Sequence, residues 1–156
     1  MSETQEFSLT LTQEADFVFR IAFDDTAIPD LHTDEPPPLG ESRGPNPSRL
    51  LVAAVANCLS ASLLFSLRKF KNHPGTLVTR ATARLERNEH NRLRVAHIGV
   101  AIELPEPVAD YAFAERLLQQ FEDFCVVTES VRQGVPVDVT VRDPSGTVVH
   151  DSRQLA

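Results

Sequence analysis

One stretch of apolar and small residues, 47–70, constrains the fold more than any other part of the sequence. Asn46 and Pro47 are the residue types that start a helix, and the helix predicted from them ends before residues 72–75 (Asn-His-Pro-Gly). At 1.5 Å per residue it is about 36 Å long, nearly the width of a domain of this size. Because residues 50–65 are apolar or small on almost every side, the helix is predicted to be buried all round. A chain of 156 residues has limited material to cover it, which favours a dimer.

Both sides of this helix show the alternation of apolar and polar residues that is typical of half-buried strands. The pattern predicts three hairpins, over residues 7–23, 77–104 and 135–149. In the middle hairpin the apolar set changes phase near Ala96 and His97, which predicts a β-bulge.

The segments between the hairpins are predicted as one long loop and two further helical pieces. In order they are a Pro-rich loop (24–46) with one short strand near residues 27–31, a second helix (107–125) and a short helical turn that stops at Gly134 (127–133). The order β-β-loop-α-β-β-α-β-β predicts an α+β fold, with β-hairpins around a long central helix. We expect a single domain over residues 1–156.

Composition and patterning exclude several classes of protein. With 42% apolar and 24% charged residues, the chain is predicted to be globular. The N-terminal residues have neither the basic nor the apolar region of a secretory signal. The longest apolar run, 50–65, is interrupted by polar residues and is shorter than the roughly 18 residues of a membrane span. We therefore expect a cytoplasmic protein without membrane contact, whose two cysteines are reduced at rest.

The charges are unevenly distributed along a chain whose net charge is −7. Residues 1–41 hold ten acidic residues and one arginine, Arg20, whereas residues 68–102 hold eight basic and two acidic ones. The basic stretch lacks interleaved aromatic residues, and the whole protein repels phosphate, so nucleic-acid binding is not expected. A solvated sheet face, or pairing with the acidic N-terminal segment, explains it more simply.

The two cysteines are the main candidates for chemistry. The five histidines show no metal-ligand spacing, and the chain has neither a glycine-rich phosphate loop nor a G-x-S-x-G motif. Cys58 and Cys125, each taken alone, are typical of small buried hydrophobes. However, Cys58 has Asn57 beside it on the predicted helix, and Cys125 lies just before a predicted helix start that favours a thiolate.

Two sequence stretches resemble motifs of the OsmC/Ohr family, the osmotically inducible and organic hydroperoxide resistance proteins. Residues 47–58, PSRLLVAAVANC, resemble the central-helix motif, which has a Pro-Glu pair, small residues and then a cysteine. Residues 124–131, FCVVTESV, resemble the Cys-Pro-x-Ser motif. The order of elements also fits, so that the resemblance covers nearly the whole chain.

The resemblance implies an intertwined homodimer with two interfacial sites that reduce organic hydroperoxides. Cys58 would attack a peroxide oxygen and become a sulfenic acid, and Cys125 would condense with it to a disulfide. A dithiol reductant of the lipoyl or thioredoxin type would restore the thiols. An arginine would stabilise the thiolate and the motif glutamate would hold that arginine, without a cofactor or a metal.

The sequence departs from the family pattern at both motifs. Ser48 replaces the motif glutamate, and Val126 replaces the proline after the second cysteine. The first candidate for the thiolate-stabilising arginine is Arg43 and the second is Arg20, with Glu41 as a replacement carboxylate.

Three hypotheses for the function are therefore open. The first is a two-cysteine thiol peroxidase, and apolar surroundings favour alkyl or lipid peroxides as its substrates. The second is an OsmC-like dimer that binds a small molecule and lacks peroxidase activity. The third is a structural dimer in which both cysteines only pack.

Overall fold

The long helix predicted from the sequence is present in the computed structural model as α1, Pro47–Lys69. Asn46 is its N-cap, and the Asn46 side-chain oxygen accepts the backbone N–H of Arg49 at 3.1 Å. Pro47 occupies the first turn, where a helix needs no N–H donor. The structure describes residues 4–134, 140–142 and 148–151 of the chain.

Antiparallel strands precede and follow this helix along the chain, and the fold is α+β, as predicted. Within the described ranges there are seven strands, in sheets ordered β1-β2-β3, β4-β5 and β6-β7. The strands are β1 (Leu9–Ala15), β2 (Val18–Phe23), β3 (Leu31–Thr33), β4 (Val78–Arg87), β5 (Leu93–Glu103), β6 (Thr140–Arg142) and β7 (Val148–Asp151). The two later helices are α2 (Ala114–Gln120) and α3 (Val126–Gln133). For the third predicted hairpin, residues 135–139 and 143–147 lie outside the described residues.

The predicted β-bulge is confirmed in the β4-β5 hairpin. Arg84 pairs with His97, but the next residue, Leu85, pairs with Val95. Ala96 is therefore the extra residue of the bulge. Because of it, the apolar residues of β5 before and after the bulge lie on the same, inner face of the hairpin. The short strand predicted near residues 27–31 of the Pro-rich loop is present as β3, but it covers Leu31–Thr33.

The prediction of one continuous helix over residues 107–125 is wrong. The segment contains a 3₁₀ turn at Val108–Asp110, then α2, then a second 3₁₀ turn at Phe121–Phe124. Asn72 explains the break, because its side-chain amide donates to the Ala112 carbonyl at 3.1 Å and accepts the Ala112 N–H at 2.8 Å. A tether to both backbone groups of one residue competes with helical hydrogen bonding there. Phe113 then adopts a left-handed conformation, with φ of 57°, and α2 starts after it.

The hydrophobic core lies along one face of α1. Residues spaced four apart on that face are buried: Val55, Leu59, Leu63 and Leu67. They pack against β5, α2 and the second 3₁₀ turn. The opposite face remains open, and Phe65 is 59% exposed. The sequence predicts that α1 is buried all round, whereas within one chain only one face of the helix is buried.

The length argument against a membrane span needs correction. α1 extends beyond the apolar run and includes an 18-residue window with a mean hydropathy of 2.1, of which 28% is buried within the chain. By length and hydropathy alone, α1 therefore qualifies as a span. The core helix of a soluble protein meets the same criterion, and α1 carries the buried polar residues Ser62 and Ser66 on its packed face. The buried serines on its packed face, rather than the length of its apolar run, are therefore the feature that favours α1 as a core helix.

Truncating the most buried core residue of α1 tests this packing. Leu67 is 0% exposed, and Leu67→Ala is expected to lower the free energy of unfolding by about 2–5 kcal/mol because it leaves a cavity. Leu93, which is 59% exposed, provides the control, and Leu93→Ala is expected to change it by less than about 0.5 kcal/mol. Urea denaturation measures both values. Equal effects of the two variants would contradict this description of the core.

Candidate active site

The two cysteines come together where α3 packs against the middle of α1. Cys58 lies in α1 beside the buried residues Val55 and Leu59, and Cys125 is the N-cap residue of α3. Both are free thiols. Cys58 packs against the buried cluster of Val55, Leu59 and Cys125, so that two cysteines 67 positions apart in sequence meet at one site.

Cys125 is buried and accepts hydrogen bonds from its own helix. It is 0% exposed. Its Sγ atom accepts the backbone N–H of Thr128 at 3.4 Å and lies 2.8 Å from the Thr128 hydroxyl oxygen. The expectation that Cys125 lies at a helix start is confirmed. This position directs N–H groups and the positive end of the helix dipole at the sulfur, which favours a thiolate.

Hydrogen bonding shifts the pKa values of the two thiols in opposite directions. Burial, together with the hydrogen bond to Cys125, raises the pKa of Cys58. Burial also opposes ionisation of Cys125, but hydrogen bonds from Cys58 and Thr128 outweigh it and lower the pKa of this thiol. Cys125 is therefore the more readily ionised thiol of the pair.

A cavity of about 700 Å³ adjoins the thiols. It is lined by α1, by β5 and by the segment from α2 to α3, with aliphatic side chains such as Leu63 and Ile98 and polar ones such as His97. Thr128 lines this cavity and also contacts the Cys125 sulfur. A ligand held in the cavity would therefore lie close to the thiol pair.

The loop before α1 presents the predicted pair of Arg43 and Glu41. Their side chains form an ion pair at 2.5 Å. Asp34, which is 2% exposed, shapes the loop by accepting the backbone N–H groups of Glu35, Glu41 and Arg43 at 2.8–3.0 Å. These N–H groups, that of Arg43 foremost, lower the pKa of Asp34 despite its burial. Gly40 is required here, because a Cβ atom would lie 2.2 Å from an Asp34 carboxylate oxygen.

Neither predicted arginine contacts the thiols of its own chain in the described hydrogen bonds and ion pairs. Arg20 binds Asp30 at 2.9 Å and Glu14 at 3.2 Å. Arg43 precedes α1, and residues 46–58 of the helix span roughly 18 Å at 1.5 Å per residue. The structure therefore forms two separate groups. One contains the two cysteines, and the other contains Arg43 and Glu41.

The two departures from the family motifs lie at helix starts. Ser48 is half-buried in the first turn of α1, which contains no acidic residue. Val126 is the first residue of α3 and is exposed. A proline is well suited to that position, but valine does not prevent the helix from starting there.

Two residues near Cys125 were not singled out as a site by the sequence. Arg132 of α3 forms an ion pair with Glu122 at 2.5 Å, and both side chains line the cavity. The spacing of Cys125, Thr128 and Arg132 places them on one helix face and was the available signal. Among the residues that the structure describes, no group of three or more His, Cys, Asp or Glu side chains is arranged to hold a metal ion.

Removing the Thr128 hydroxyl tests its role at the sulfur. In a Cys58→Ser background, where one thiol remains, Thr128→Val is expected to move formation of the Cys125 thiolate to higher pH, because a hydrogen bond to the ionised sulfur is lost. Thr128→Ser keeps the hydroxyl and serves as the control. The measurement is the ultraviolet absorbance of the thiolate as a function of pH. An unchanged midpoint in Thr128→Val would mean that the hydroxyl does not stabilise the thiolate.

Comparison with known proteins supports the fold and identifies the family. The chain is similar to an OsmC-like protein from Mycoplasma pneumoniae (TM-score 0.63, 18% identity, 85% of this chain and 91% of that one). It is also similar to an organic hydroperoxide resistance protein from Legionella pneumophila (0.61, 16%, 84% and 92%) and to the organic hydroperoxide resistance protein OhrB of Bacillus subtilis (0.59, 18%, 84% and 95%). At these identities the likeness shows the fold alone. No curated protein sequence matches the chain. A sequence model of the OsmC-like protein family matches residues 40–140, well over half of the chain, and the chain therefore belongs to the OsmC-like family.

Proposed function

We propose that this chain is a thiol-dependent peroxidase that reduces organic hydroperoxides through a disulfide between Cys58 and Cys125. The observation that carries the proposal is the packing of Cys58 and Cys125 in one cluster, where the backbone N–H and the hydroxyl of Thr128 contact the Cys125 sulfur. Structures of the same fold include proteins named for organic hydroperoxide resistance, which agrees with it.

Exposure assigns the two cysteines different roles. Cys58 is half-buried and Cys125 is fully buried, so an incoming peroxide meets Cys58 first. The Cys58 proton moves along the hydrogen bond to the Cys125 thiolate, and the Cys58 sulfur attacks the outer peroxide oxygen. The O–O bond breaks, and the leaving alkoxide takes a proton from Cys125 to become an alcohol. Cys58 is now a sulfenic acid and Cys125 is again a thiolate.

The second step forms the disulfide. The Cys125 thiolate attacks the Cys58 sulfur, the S–O bond breaks, and the departing hydroxide takes a proton from solvent to become water. One peroxide has then gained two electrons, and the two thiols have lost them. An external dithiol of the lipoyl or thioredoxin type, in the cytoplasm, returns the pair to the reduced state by thiol–disulfide exchange.

The cavity supports an apolar hydroperoxide as the substrate. A volume of about 700 Å³ falls in the range of small-molecule sites, and its wall combines aliphatic with polar side chains. Burying a hydrocarbon group there stabilises binding by roughly 25 cal/mol per Å² of apolar surface. Hydrogen peroxide has no such surface, so we propose alkyl or lipid hydroperoxides as substrates.

A homodimer is the assembly that the exposed surfaces favour. The open face of α1 carries Phe65, which is 59% exposed, and β1 is exposed along its whole length. Sheets of two or three strands are marginal alone, and a second copy of the chain can extend and cover them. Since the Arg43–Glu41 pair lies apart from the thiols of its own chain, we propose that it serves Cys58 of the second copy.

The same cavity favours a second candidate function, binding of a small molecule without peroxidase chemistry. The loss of the motif glutamate at Ser48 is the feature that motivates it. The two functions differ in what happens to the thiols, because a binding protein leaves them unchanged when peroxide is added.

Counting thiols before and after peroxide tests the peroxidase. One equivalent of cumene hydroperoxide is expected to remove both free thiols and to lower the intact mass by about 2 Da per chain, since disulfide formation releases two hydrogens. In Cys125→Ser, which lacks the thiolate that accepts the Cys58 proton, a trappable sulfenic acid is expected to form on Cys58 more slowly than in the wild type. In Cys58→Ser peroxide consumption is expected to stop.

The variants also separate the alternatives. Activity that survives in Cys58→Ser but is lost in Cys125→Ser would reverse the two roles. Two thiols that persist in excess peroxide would overturn the peroxidase and favour the binding function, for which native mass spectrometry of the purified protein would detect a retained ligand.

Sedimentation equilibrium tests the dimer. The wild-type chain is expected to sediment at twice its mass of 17.3 kDa. Phe65→Asp is expected to shift the protein toward the monomer, because it places a charge on the open face of α1. Leu93→Asp is the matched control, since Leu93 and Phe65 are each 59% exposed in one chain. A wild-type monomer would contradict an interfacial site.

A further inference from the structure

We propose that Arg132, held by Glu122, is the cation that stabilises the Cys125 thiolate from within the same chain. Glu122 lies three residues before Cys125 and Arg132 lies seven residues after it. Their side chains nevertheless meet in an ion pair at 2.5 Å. The contact therefore closes around the start of α3, where Cys125 is the N-cap residue.

Helix geometry places the arginine on the cysteine's side of α3. At about 100° per residue, a separation of seven residues returns to nearly the same face, and a separation of three lies close to it. Thr128, which contacts the Cys125 sulfur, is therefore on the same face as Arg132, and both line the cavity beside the thiols. Long side chains on a helix lean toward its N-terminus, which directs the guanidinium back toward Cys125.

Electrostatics agrees with this placement. The Glu122 carboxylate raises the pKa of Arg132, and the charges of Glu129 and of the Cys125 thiolate add to it. An attraction of this kind is mutual, so the guanidinium favours the ionised form of Cys125. The side chain of Arg132 is 55% exposed, and water and salt weaken the effect accordingly. The alternative is that Arg132 pairs only with Glu122 and has no effect on the Cys125 thiol. The test must distinguish these two roles.

The consequence for the reaction rests on the proposed function. Cys125 must be a thiolate twice, first to accept the Cys58 proton and then to attack the Cys58 sulfur. A cation that holds Cys125 ionised at neutral pH supports both events without contacting the peroxide. Arg132 therefore acts on the reaction only through Cys125, the cysteine that attacks the Cys58 sulfur.

The test is a titration of the single thiol in a Cys58→Ser background, which retains a hydroxyl donor at position 58. The ultraviolet absorbance of the thiolate is followed against pH, and the curve of Cys58→Ser/Cys125→Ser is subtracted to remove the tyrosine signal. Adding Arg132→Met is expected to move the midpoint to higher pH and to lower the ionised fraction at neutral pH about threefold, a modest effect for a screened charge. Glu122→Gln is expected to move it in the same direction, because the guanidinium loses its anchor.

Two further variants separate charge from structure. Arg132→Lys keeps the positive charge and is expected to leave the midpoint close to that of the Cys58→Ser parent. A merely structural role for the arginine would not predict this result. Arg92→Met removes one positive charge at the β4-β5 turn and is expected to leave the midpoint unchanged. Thermal unfolding followed by circular dichroism confirms that each variant is folded.

The outcomes distinguish this inference from the peroxidase proposal. An unchanged midpoint in Arg132→Met, or an Arg132→Lys midpoint equal to that of Arg132→Met, overturns the role of Arg132 even if peroxide oxidises the wild-type thiols. A raised midpoint in Arg132→Met with retention in Arg132→Lys supports it, even if the wild-type thiols survive peroxide and the peroxidase fails.

Discussion

The packing of α3 and the preceding 3₁₀ turn onto the buried face of α1 is the constraint on which the site depends. α1 must bury Val55 and Leu59, and the segment that covers them begins α3 at Cys125. Core packing therefore fixes the distance between the two thiols without a disulfide or a metal. Because close-packed interiors resist displacement, the thiols are held ready to react rather than brought together by peroxide.

Ionisation of a thiol here works against both burial and the overall charge. The chain has a net charge of −7, so its long-range field disfavours another anion, and burial removes the stabilising water. Local donors must compensate, and the pair contains them: the Cys58 S–H and the N–H and hydroxyl of Thr128. Since these donors converge on Cys125, the more accessible thiol is the less acidic one. In the proposed peroxidase, reduction of peroxide at Cys58 then depends on proton transfer between the two sulfurs.

Local signals in the sequence predicted the elements that local interactions determine. Asn46 and Pro47 fixed the start of α1, and the change of phase at Ala96 located the bulge, because capping and alternation depend on neighbouring residues. The break before α2 could not be predicted in this way, since it depends on Asn72, distant in sequence from the backbone it binds. For the site, the resemblance identified the cysteines. The contacts of Arg132 required the fold, because an arginine on a short helix has no distinctive local pattern.

The separation of the two arginine-carboxylate pairs has a consequence for assembly. Arg132 and Glu122 belong to the elements that carry Cys125, so their influence on that thiol is independent of a second chain. Arg43 and Glu41 lie on a loop that Asp34 holds rigid, away from the thiols of the same chain. In the proposed dimer, Arg43 of one copy serves Cys58 of the other. Ionisation of Cys125 would then depend on one chain alone, whereas full reactivity of Cys58 would depend on the dimer.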